Sequence, residues 1–225
     1  MNHIQTAYAD LNTMKTPFNW AGVGFLLFMI GIAAIPAMFI VGVVFLGRDA
    51  GSTFGEIINA QYFNQPLVII CHGLSGIVFF ITMPFQFSTR LRKTYPNYHK
   101  INGYAAFVSA NAMAASGVWM HHVFSAHVFG ARYVCLIIVA LAICVTFAVA
   151  IYYAVQGNIK DHQRWIYYGA AASLAVVTPL FFEIIVVVLG GVGAALMYAY
   201  GRVIALIFNL LVTHQLYQKT AKSAR

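Results

Sequence analysis

The chain has 225 residues, of which 61% are hydrophobic and 8% charged, with a formal net charge of +8. This composition and a clearly positive mean hydropathy exclude a water-soluble globule. Apolar runs of roughly 18 residues or more recur throughout, and each can cross a hydrocarbon layer of about 30 Å as a helix. The expected fold is therefore all-α: a polytopic membrane helix bundle. The positive charge then bears on topology and anionic headgroups, and no basic patch with interleaved aromatics suggests nucleic acid.

Residues 1–17 read as a short polar arm with Asp10 and Lys15 as its charges. The first apolar run, Trp20 to Leu46, is too long for a signal-peptide core and reads as a true span interrupted by Pro36. A polar loop with Asp49 and Glu56 leads to a second span over 67–87. A basic corner follows with Arg90, Arg92 and Lys93. A third span covers 99–123, and a short loop rich in histidine and aromatic residues leads to a fourth over 132–155. Its exit corner, Gln156 to Arg164, opens a fifth span over 165–189 that contains Pro179 and Glu183. Gly190, Gly191 and Gly193 mark a loop before the sixth span, 201–217. The organisation expected is an arm (1–17), a six-helix transmembrane domain (18–218) and a basic tail (219–225).

Six spans put both termini on one face. That face carries ten of the thirteen Lys and Arg residues, leaving Arg48, Arg132 and Arg202 on the other. The bias predicts cytoplasmic termini in a bacterial inner membrane. Spans two with three and four with five also resemble a parallel duplication, with His99 and His162 at corresponding corners 63 positions apart. The three cysteines, Cys71, Cys135 and Cys144, all fall in apolar runs, and an odd number so placed argues against a disulfide framework.

Ionisable residues within a membrane face the bundle interior and carry function more often than not. His72 falls a few residues inside the second span, at the same end as His121 and His122. His99 and His162 open the third and fifth spans at the other end. A bis-histidine haem needs two axial ligands on different helices at one depth. His72 with His121 or His122 satisfies this at the outer end, and His99 with His162 at the cytoplasmic end. Haem b is the cofactor expected, with electron transfer within or across the membrane. Glu183 is a candidate proton acceptor, although an ion pair with Arg202 is an equally simple reading. Copper is the alternative cofactor, with Cys71, His72, Met120 and His122 as its ligands, since thiolate, imidazole and thioether suit that metal. A third reading makes the histidines structural, in a non-catalytic subunit. Asn111 and Asn209 are expected to hydrogen-bond between helices. No G-x-S-x-G, H-E-x-x-H or phosphate-binding glycine loop points to hydrolysis.

The corner residues Pro84-Phe85-Gln86-Phe87, Arg90, Arg92, Pro96, His99-Lys100 and Gly103-Tyr104 resemble a bacterial membrane family, domain of unknown function 2306. Asp161-His162-Gln163-Arg164-Trp165 and Asn209-Leu210-Leu211-Val212 continue the likeness, which covers roughly residues 65–217. Lys100 and Gln163 stand where that family usually has arginine, Ile166 where it has methionine, and His214 near a usual glutamate. The resemblance implies a helical bundle. More distantly the chain is similar to membrane dihaem b-type cytochromes, whose paired histidines lie inside helices and not at their starts. The partners expected are the bilayer, a quinone or another respiratory membrane protein, and a second copy of the chain.

Overall fold

The computed structural model describes residues 18–48 and 53–223. The expected arm (1–17), Asp49 and the end of the basic tail lie outside the described residues. The helices are α1 Trp20–Leu46, α2 Thr53–Ile57, α3 Ala60–Asn64, α4 Pro66–Thr82, α5 Thr89–Thr94, α6 Pro96–Phe124, α7 Ala131–Val155, α8 Ile159–Ser173, α9 Thr178–Val188 and α10 Ala194–Ser223. Short 3₁₀ turns at Pro84–Phe87 and Leu174–Val176 extend α4 and α8.

Local chemistry sets these boundaries. Asn19 caps α1, its side chain accepting a bond from the Gly22 amide at 3.2 Å. The helix continues through Pro36 without a break. Pro66 and Pro96 occupy first helical turns, where the missing N–H costs nothing. Gly190, Gly191 and Gly193 all have positive φ, which turns the chain tightly between α9 and α10 as expected for a glycine loop.

Successive long helices pack side by side: α1 on α4, α4 on α6, α6 on α7, and α7 on α8. Helix α10 then closes against α7, α8 and α9. Their shared core joins Leu26 and Ile30 of α1 to Phe79, Met83, Ala106, Ala110, Ile143, Phe147, Ala172 and Ala205. Phe79 and Phe147 meet edge-on with centroids 6.0 Å apart, and each is 1% exposed. Apolar attraction does little between helices in lipid, so close backbone approach at small residues carries the packing. Gly73 and Gly169 mark two such approaches. A Cβ on Gly73 would collide with Val41, and one on Gly169 would lie 3.0 Å from the Phe147 ring.

Among the described residues four segments are long and apolar enough to cross a membrane: α1, Pro66–Phe87, α7 and Ala194–Lys219. Ile159–Val176 and Thr178–Val188, bent by 45° at their junction, make a fifth if taken as one span. On length and composition the expected six is not reached. Helix α6 falls short because polar residues recur along it, among them His99, Lys100, Asn102, Asn111 and Ser116. Large apolar side chains such as Phe28 and Val187 point outward from the bundle, as lipid contact requires.

Asn209 behaves as expected. Its Nδ2 donates to the Ala171 carbonyl at 3.1 Å and to Thr178 Oγ1 at 3.0 Å, pinning α10 across the bend. Asn111 does not, since its Nδ2 donates within its own helix to the Phe107 carbonyl at 2.8 Å. An amide in a helix always has the carbonyl one turn back within reach, whereas a cross-helix partner must be supplied by packing.

Candidate functional site

The two corners that carry His99 and His162 meet in space. At the first, Ser88 caps α5 by accepting from the Leu91 amide at 3.3 Å. The buried Asn102 side chain donates to the Thr82 carbonyl at 2.8 Å, which satisfies one of the orphan carbonyls at the end of α4. Gln86 reaches from the 3₁₀ turn to the His99 carbonyl at 3.4 Å, and Gly103 leaves room for it. At the second corner Gly157 turns the chain with φ 71°, and Asn158 caps α8 through the Asp161 amide. Phe87 of one corner packs edge-on against Tyr167 of the other, with centroids 5.0 Å apart.

Between the corners lies a cavity of about 760 Å³, within the range of small-molecule and cofactor sites. Phe87, Tyr104, Ile151, Val155, Ile166 and Tyr167 give it apolar walls, and Arg92, Lys100, His99 and His162 give it basic ones. The two histidines therefore line one space. His162 Nδ1 donates to the Ala150 carbonyl at 2.8 Å. That bond uses the Nδ1 proton and leaves Nε2 as the nitrogen available to a ligand, the arrangement found in metal-ligating histidines. His99 has a buried Nδ1 with no hydrogen-bond partner among the described residues. In the first turn of α6, outside the candidate spans, His99 titrates below its ordinary 6.5. Burial is the largest cause, followed by the charges of Arg92 and His162. The imidazole is thereby held neutral near pH 7.

The outer-end residues are not gathered in this way. Ser116 Oγ donates to the Ala112 carbonyl at 2.6 Å, so its one proton is used, and His72 Nδ1–H donates to that oxygen at 3.1 Å. His121 Nε2–H donates to the Val128 carbonyl at 2.8 Å, and His122 Nε2 is hydrogen-bonded to the Tyr133 hydroxyl at 3.1 Å. Both rings join Tyr133 and Phe129 in an aromatic cluster at the start of α7. His72 thus has a helix-packing partner, and neither expected mate shares a bond with it among the described residues. Met120 packs on the apolar cluster of Val41, Val44 and Ile69. Cys71 lies partly buried beside His72 in sequence, its carbonyl accepting from Ser75. Among the described residues no three His, Cys, Asp or Glu side chains converge on a point a metal ion could take. Glu183 is exposed on α9 and forms no ion pair with Arg202 among the described residues.

Sequence reasoning overlooked several contributors. Ser116 lies 44 positions from His72 and carries no local signal of that contact. Tyr167 carries no signal of its own in the sequence, yet it walls the cavity with Arg92 and Tyr104 of the first corner.

No curated protein and no solved structure matches this chain, so the likeness to dihaem cytochromes rests on the histidines alone. A family model described as "Predicted membrane protein (DUF2306)" matches residues 69–217, more than half of the chain, and takes in both histidine corners. The chain therefore belongs to this family of membrane proteins.

Proposed function

We infer that this is a redox protein of the bacterial inner membrane, holding a b-type haem between His99 and His162 at the cytoplasmic end of the bundle. The observation that carries the reading is the shared cavity, into which both corners bring an imidazole and both bring apolar walls. A haem iron needs only two axial protein ligands, so the lack of a larger donor cluster among the described residues is no obstacle. His162 is prepared as a ligand by its bond to Ala150, and the unpartnered Nδ1 of His99 marks a group whose partner is still to be supplied.

Charge favours haem over a bare copper ion here. Arg92 and Lys100 repel a free cation but suit the two carboxylates of a haem. The expected copper set of Cys71, His72, Met120 and His122 is spread over separate contacts, His72 to Ser116, His122 to Tyr133 and Met120 to the Val41 cluster. Bound haem supplies one-electron transfer, and the protein's part is to orient it, keep water from one side and set its potential through the nearby cations. The positive-inside bias of the two corners puts this end toward the cytoplasm. A soluble donor or a membrane quinone would therefore meet the haem from that side.

The test is the absorbance spectrum of detergent-purified protein from haem-sufficient cells, with iron and copper measured on the same sample. A Soret band and a dithionite-reducible α band are expected, with loss of most intensity in His162→Ala and in His99→Ala and little change in His72→Ala. Colourless, iron-free protein that takes up no added haemin would sink the reading.

A further inference from the structure

At the other end of the bundle two arginines flank the ring of Tyr198, and neither forms an ion pair with a carboxylate among the described residues. Arg132 is the second residue of α7, and Arg202 lies on α10. Tyr198, one turn before Arg202, sits beneath Arg132, whose guanidinium carbon is 4.4 Å from the ring centroid. Among the described residues the groups that act electrostatically on Arg202 are Arg132, Cys135 and Tyr198, with no carboxylate among them. The expected mate, Glu183, does not reach it.

Such an arrangement is unfavourable as it stands. Guanidinium groups do not deprotonate in proteins, and Arg202 is already partly withdrawn from solvent. Two like charges beside one ring, one exposed and one partly buried, favour an anion that both can reach. Their planar forks match the oxygens of a phosphate, and stacking on Tyr198 holds one fork in position. The first turn of α7 adds to this. Its cap, Gly130, offers no side-chain acceptor, and the positive end of the helix dipole lies at the same end of the bundle.

We propose that Arg132, Arg202 and Tyr198 form an anion site that takes the phosphate of an anionic phospholipid headgroup, at the end of the bundle opposite the histidine cavity. A lipid is the occupant because the site lies at the end of candidate membrane spans, where headgroups outnumber other phosphates, and because Tyr198 is itself exposed as interfacial aromatics are. The site is independent of the haem reading and shares no residue with it.

The experiment is native mass spectrometry of delipidated full-length protein titrated with phosphatidylglycerol or phosphatidylcholine, with thermal unfolding in millimolar inorganic phosphate as a parallel arm. The wild-type chain should retain phosphatidylglycerol in preference to phosphatidylcholine. Arg132→Gln and Arg202→Gln should each weaken that binding about tenfold, the loss expected for one charge-assisted contact. The double variant should carry one bound lipid fewer. Because Arg202 is partly buried, Arg132→Gln, at an exposed position, keeps the test valid if the other variant fails to fold. Equal retention of phosphatidylglycerol by wild type and Arg132→Gln would overturn the proposal. Stabilisation by inorganic phosphate that both variants abolish, with lipid counts unchanged, would overturn the lipid occupant and assign a free phosphate.

Discussion

Replacing Gly169 with alanine tests whether the seam between α7 and α8 is set by close packing on Phe147. An added Cβ would lie 3.0–3.1 Å from three carbons of the Phe147 ring. That ring cannot easily retreat, because it is 1% exposed and its other side meets Phe79 edge-on. Overpacking of this kind costs about 1–3 kcal/mol. Removing a glycine from a helix interior works the other way, by roughly 0.5–1 kcal/mol. Gly42→Ala isolates that second effect, since a Cβ there meets nothing within 4 Å about one turn before the end of α1. The difference between the two variants should therefore be about 1–3 kcal/mol, with Gly169→Ala the less stable. For a chain of this size that corresponds to roughly 2–12 °C in unfolding temperature, measured in detergent by size-exclusion after stepwise heating. Phe147→Leu added to Gly169→Ala should recover part of the loss. Equal unfolding temperatures for Gly42→Ala and Gly169→Ala would refute the packing argument.

Gly73→Ala should be the more disruptive of the glycine changes, because the new carbon collides with Val41 where α4 crosses α1; Val41→Ala in the same chain should restore monodisperse protein. Asn102→Ala leaves the Thr82 carbonyl buried without its partner and should cost about 1–3 kcal/mol, read as a lower unfolding temperature that Asn102→Asp does not repair. The folded chain holds His99 below its ordinary 6.5, so below that pH the unfolded chain binds the extra proton more readily. Stability contributed by neutral His99 is thus present above 6.5 and lost as pH falls beneath it. In His99→Gln the unfolding temperature should decline less between neutral and mildly acid pH than in wild type, and an identical decline would count against this account.

The functional consequence of the seam is geometric. Gly169 lies on the same helix as Ile166 and Tyr167, which wall the histidine cavity, and the Phe87–Tyr167 contact ties the two corners to each other. A shift of α8 away from α7 would draw His162 away from the Ala150 carbonyl of α7, its partner at 2.8 Å. Gly169→Ala is therefore expected to loosen ligand binding in the cavity as well as to destabilise the bundle.

Composition alone determined that the chain is a helical membrane protein, and the order of apolar runs and breakers placed nearly every long helix. The glycine loop after α9 and the two basic corners were equally plain, because they depend on residues adjacent in the chain. Tertiary structure decided which histidines meet. His99 and His162 share a cavity, whereas His72 turns to Ser116 and His121 bonds to the loop beyond its own helix. Whether Glu183 meets Arg202, and that Arg132 stacks on Tyr198 instead, was settled at the same level. The physical reason is that lipid-facing and core-facing positions of a membrane helix are both apolar, so hydropathy fixes where a helix lies but not how it is rotated. Rotation is set by the close approach of small residues such as Gly73 and Gly169, and only the packed bundle reveals those contacts.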